Sequence, residues 1–116
     1  MKTVLFMVRT PPHGSAAIPE SHRACLGFAT MPIEVNYLLT DAAVWALQPG
    51  QRAQAIGGKD ARDLVGELGD LGVKLFAEAD AREARGLDPD AIGPVNSVSA
   101  DEIAELIATA DAVMTY

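Results

Sequence analysis

Thr3-Val-Leu-Phe-Met-Val8 is an unbroken apolar run, set between Lys2 and the segment Arg9-Thr10-Pro11-Pro12. A strand with one wet face alternates apolar and polar residues; an unbroken, β-branched run of this length belongs to a strand buried on both faces. It predicts a strand at the centre of a parallel sheet. Parallel neighbours need long crossovers, so helices are expected between the strands that follow.

Working outward, Pro11-Pro-His-Gly-Ser15 has the composition of a turn. A helix is expected from about Ala16 to Thr30, with Pro19 tolerated only in its first turn and Cys25, Phe28 and Ala29 on one face. Ile33 to Leu39 reads as the second strand, and Thr40 or Asp41 is placed to cap a short helix, Ala42 to Leu47. Gln48-Pro49-Gly50-Gln51 ends it, and a loop runs on through Gly57-Gly58. Asp60 is placed to cap a helix reaching about Leu71, followed by a third strand, Val73 to Ala77. Asp80 to Arg85 reads as helical and stops at Gly86, a residue suited to the left-handed position after a helix. Asp88-Pro89-Asp90 is a turn, and Val95 to Val98 a short extended segment. Ser99-Ala-Asp-Glu102 is a capping box opening a helix to about Thr109, and Ala112 to Thr115 is the last strand. The alternation predicts one three-layer α/β domain over residues 1–116 with a mainly parallel sheet.

Composition narrows the function classes. The 116 residues carry nine Lys and Arg against sixteen Asp and Glu, a net charge of −7. That balance argues against direct nucleic-acid binding, which uses a basic surface to neutralise phosphates. One cysteine excludes an internal disulfide and a multi-cysteine metal site, and the two histidines sit in no ligand-spaced cluster, so no metal is expected. The opening apolar run is too short for a signal peptide, and nothing approaches the length of a transmembrane helix; the expected location is the cytoplasm.

The candidate chemistry is sparse. His13-Gly14-Ser15 lies between the first strand and the first helix, where open α/β sheets hold ligands and free helix N–H groups hold anions. It carries no GxGxxG, and Gly57-Gly58-Lys59 lacks the pattern of a phosphate-binding loop, so a plain turn is the simpler reading. Cys25 reads either as a persulfide or redox thiol with His22 one turn away, or as a small buried hydrophobe. Its apolar, mid-helix setting favours the second. Tyr37 and Trp45 suit an interface anchor and a core filler equally. Glu78 to Arg85 reads as a solvated helix face, with Glu78 one turn from Arg82 and able to pair with it.

Several of these stretches together resemble a known family. The first strand leading into Arg9-Thr-Pro-Pro-His-Gly-Ser15, the segment Leu47-Gln-Pro-Gly-Gln51, Arg82-Glu-Ala-Arg-Gly-Leu-Asp88 and the ending Asp111-Ala-Val-Met114 are similar to the DsrE/DsrF/DsrH family of sulfur-relay proteins, closest to its DsrF/TusC branch. The resemblance implies a three-layer α/β/α domain on a five-stranded, mainly parallel sheet. It implies homo- or hetero-oligomers with other subunits of the family, with a sulfur-carrier protein as a further candidate partner, and persulfide sulfur passed toward tRNA thiolation or within sulfur oxidation. It implies no cofactor. In carrier members the active cysteine follows the third strand, eight residues before the glycine that closes the short helix; here that position, counted back from Gly86, is Glu78. The chain is thus expected to be an accessory subunit without the carrier thiol. The alternative is a homo-oligomer binding a small ligand at His13, Ser15 and Glu78; a thiol sulfurtransferase using Cys25 is a third reading.

Overall fold

A computed structural model describes residues 2–48, 60–87 and 95–116. The strands are β1 (Thr3–Val8), β2 (Glu34–Leu39), β3 (Lys74–Glu78), β4 (Asn96–Val98) and β5 (Ala112–Thr115). The helices are α1 (Ala17–Ala29), α2 (Ala61–Asp70), α3 (Ala79–Ala84) and α4 (Ala100–Thr109), with a 3-10 helix over Asp41–Leu47. The sheet has five strands in the order β4-β3-β2-β1-β5, and every neighbouring pair is parallel. The opening apolar run is therefore an interior strand, as its sequence predicts, but one place from the centre: β2 holds the middle.

Strand alternation splits the side chains between two faces. Val4, Phe6 and Val8 of β1 and Val35, Tyr37 and Leu39 of β2 point toward α1, α2 and the 3-10 helix, forming the main core with Ile18, Cys25, Val44, Leu47, Val65 and Leu68. Phe6 stacks at 6.5 Å from Tyr37 and meets Phe28 edge-on at 5.8 Å. Leu5 and Leu38 point the other way and meet Val98, with Met7, Phe76, Ile103 and Leu106 packed against them.

Helix starts follow local chemistry. Asp60 and Asp63 form a reciprocal capping box on α2, as Ser99 and Glu102 do on α4. Gly86 has φ +67, and after it Leu87 N–H returns to the Arg82 carbonyl, closing α3 in the left-handed turn that glycine permits.

Four expectations are corrected. Neither Thr40 nor Asp41 caps the 3-10 helix with its side chain, because the Thr40 hydroxyl donates instead to Glu78 and the Asp41 carboxylate accepts from Arg85. Residues 78–85 are not a uniformly solvated face: Ala81 and Arg82 are buried. Arg82 does not pair with Glu78; its Nη1 donates to the Leu87 carbonyl at 2.9 Å, drawn there by the turn at Gly86. Tyr37 is wholly buried rather than an interface anchor, because residue 37 shares its face with Val35 and Leu39 and its hydroxyl meets Ser21 Oγ at 2.7 Å. Trp45 is half-buried against the same core. The expected loop through Gly57-Gly58-Lys59 and the turn at Asp88-Pro89-Asp90 lie outside the described residues.

Candidate functional site at the strand ends

All strands being parallel, β1, β2 and β3 deliver Arg9 to Ser15, Thr40 with Asp41, and Glu78 to the same edge of the sheet. Chain order runs from β1 through β4 toward one side, then returns to place β5 beyond β1. That reversal opens a crevice between the carboxyl ends of β1 and β5, the position where open α/β sheets take ligands. Here it is a cavity of about 490 Å³ lined by Arg9, Thr10, Pro11, Asp41, Ala42, Thr115 and Tyr116.

Glu78 stands beside this crevice as the last residue of β3. Its Oε1 accepts from the Thr40 hydroxyl at 3.2 Å and from the Asp41 N–H at 3.0 Å. Asp41 has φ +52, a left-handed backbone that Asp tolerates better than most residues. Glu78 on its N–H and Arg85 on its carboxylate, at 3.0 Å, hold it there. The carboxylate of Glu78 thus ties the end of β3 to the segment just after β2, and Arg85 on the turn after α3 ties to the first residue of the 3-10 helix. The crevice is lined by a guanidinium (Arg9), hydroxyls (Thr10, Thr115, Tyr116) and one carboxylate (Asp41), a set suited to binding.

The sequence candidates do not converge. Ser15 is turned into its own loop: its hydroxyl donates to the Pro11 carbonyl at 2.7 Å and accepts from Ala17 N–H at 3.4 Å. His13 is exposed on the same turn. Among the described residues no hydrogen bond joins Ser15 to Glu78. Arg9, Asp41 and Arg85 join the site only in the structure. Arg9 carries a signal, as the first charged residue after an interior strand; the Asp41–Arg85 pair spans 44 residues and has none.

Cys25 lies far from this chemistry, wholly buried in the core on α1. Burial strips water from its thiol and pushes its pKa up to about 12, so the thiolate that sulfur chemistry requires is disfavoured. His22 Nε2 faces Glu67 Oε2 at 3.1 Å and not the thiol. Among the described residues no group of three His, Cys, Asp or Glu is placed to hold a metal ion, and no helix is long and apolar enough to cross a membrane.

The fold and its strand-end crevice define a class: an α/β domain with a parallel five-stranded sheet and a carboxylate at the end of β3. A model of the DsrE/DsrF-like family matches residues 2–116, and the chain belongs to that family. It is similar to the protein TusC of Escherichia coli O157:H7, 29% identical over 120 residues with both chains fully covered. TusC of Klebsiella pneumoniae (strain 342) is 34% identical over 91 residues, covering 77% of this chain and 76% of the relative. Among solved structures, the ychN protein from E. coli superposes with a TM-score of 0.86 at 22% identity, covering 100% of both chains. The protein of unknown function MTH1491 from Methanobacterium thermoautotrophicum gives 0.75 at 18%, again over 100% of both.

Proposed function

We propose that the chain, as one domain over residues 1–116, is a non-carrier subunit of a sulfur relay, contributing surface to an oligomer of DsrE-family subunits in the cytoplasm. The likeness to TusC favours a relay toward tRNA thiolation. The observation that carries the reading is Glu78. Counting back eight residues from Gly86 puts it where the family resemblance implies the carrier cysteine, and its carboxylate is tied to the Thr40 hydroxyl and the Asp41 N–H. A carboxylate has no sulfur to attack a persulfide or receive one. The buried Cys25 supports the same conclusion from the other direction.

The test is mass spectrometry after incubation with a persulfidated donor protein. Wild type is expected to gain no sulfur, whereas Glu78→Cys acquires a reactive thiol at the strand end with the fold kept. A stable added-sulfur mass on the wild type, mapped to Cys25, contradicts the reading. The crevice at Arg9 favours a second reading, a small anionic ligand held there. Chemical-shift changes confined to Arg9, Thr10 and Thr115 on titration with inorganic sulfite would support it; no change at those residues would count against it.

A further inference from the structure

We propose that the surface formed by α4 and β5 is the docking face for a different protein subunit, one presenting an apolar centre rimmed by Lys and Arg. This rests on the reading that the chain works within an assembly, and adds which face is used and what meets it.

The first observation is incomplete burial. Ile103 and Leu106 of α4 pack toward Leu5, Leu38 and Val98, yet not one residue of α4 is buried. Ile107 is 42% exposed and Val113 on β5, in register with Leu5 and so on the α4 side, is 40% exposed, with Ala104 and Ala108 exposed as well. Among the described residues β5 pairs only with β1 and no strand lies along its outer edge. Natural edge strands are commonly blunted by Lys or Pro, and Ala112–Thr115 has neither. An apolar helix beside an unblunted edge is the form of a surface completed by another chain.

The second observation is charge, and it selects the occupant. Residues 95–116 contain Asp101, Glu102, Glu105 and Asp111 and not one of the chain's nine Lys and Arg. A second copy using the same face would bring these carboxylates against their own kind. A head-to-tail copy fares no better at the apolar patch of Leu26 and Leu71, where Glu67 and Asp70 stand with His22. The complementary surface is basic at its rim, which neither of these two faces of the chain offers, so the occupant argued here is a different sequence.

Zero-length carbodiimide coupling, which joins carboxylates to lysine amines, reads this contact directly. The tagged full chain is the bait in lysate of its source cells, at low salt and in about 1 M salt, where the Debye length is about 3 Å. The expected result is cross-links from Asp101, Glu102, Glu105 or Asp111 to lysines of a different protein, with capture falling about tenfold at high salt. Asp101→Lys with Glu105→Lys is expected to lose capture to a similar degree while circular dichroism is unchanged. Glu83→Lys, on α3, leaves capture as it was. Cross-links to another copy of this chain, cross-links lying elsewhere on it, or no retained protein overturn the proposal. A DsrE-family partner held through another face overturns this inference and leaves the relay reading standing. A partner outside the family held through this face does the reverse.

Discussion

On the α1/α2 side of the sheet, Phe6, Tyr37, Leu39 and Leu68 are wholly buried, whereas α4, crossing the opposite side, contains no buried residue. Both sides are built from the same strands, and both helical layers carry an apolar stripe. The difference is in the cover. The helices α1, α2 and α3 and the 3-10 helix close one side, while α4 alone, among the described residues, covers the other. Folding free energy comes mainly from apolar surface removed from water, so the closed side carries most of the stability. Exposure on the open side costs the isolated chain little, and it leaves surface for association.

The largest expected contrast is between core truncations on the two sides. Phe6→Ala removes a ring in contact with Phe28, Tyr37 and Tyr116 and should cost about 3–5 kcal/mol in urea unfolding. A cost under about 1 kcal/mol would show that the closed side is not where stability resides.

Alkaline pH should also act through the closed side. Burial pushes the Cys25 thiol up to about 12 and the Tyr37 phenol well above its usual range, so both keep their protons in the folded state. Unfolding releases protons once pH exceeds the unfolded value, about 8.5 for cysteine. Stability is therefore full below that point and falls as pH rises toward 12, by up to about 1.4 kcal/mol per pH unit for each group titrating. Cys25→Ala should flatten the cysteine part of the slope in unfolding measured between pH 8 and 11. An identical slope would mean the thiol ionises in the native state.

Tyr37→Phe deletes the 2.7 Å bond to Ser21 but leaves Ser21 its contact with the Ile18 carbonyl, so a loss of about 1 kcal/mol is expected by the same urea assay. The smallest effect belongs to the open side. Ile107→Ala should change the stability of the isolated chain by no more than about 0.5 kcal/mol. A loss of about 2 kcal/mol would mean that α4 is part of the closed core.

The strand order could not be read from the chain, but the strands could. The unbroken run Thr3–Val8 signals double-sided burial by composition alone, and the capping residues Asp60 and Ser99 mark helix starts within a residue. Such signals are local. Arg82 is different: a charged residue in a charged run is buried only because the turn at Gly86 brings the Leu87 carbonyl beneath it. The site shows the same division. Glu78 stands out by its place at the end of a strand, but its ties to Thr40 and Asp41 span 38 and 37 residues and depend on β2 and β3 being neighbours. Ser15 was plausible by position and is spent on its own turn. The exposure of α4 was equally hidden, since a periodic apolar stripe promises burial without saying what provides it.

Hydrogen exchange read by mass spectrometry on the isolated chain tests the division between the two sides most directly. The amides of β1, β2 and α1 are expected to exchange only through global unfolding, and those of α4 and β5 much sooner, through local opening. With a bound partner subunit, residues 100–116 should slow while β1 and β2 stay unchanged. If α4 and β5 exchange as slowly as the core in the isolated chain, and binding leaves them unaltered, the open side is closed and the account is contradicted.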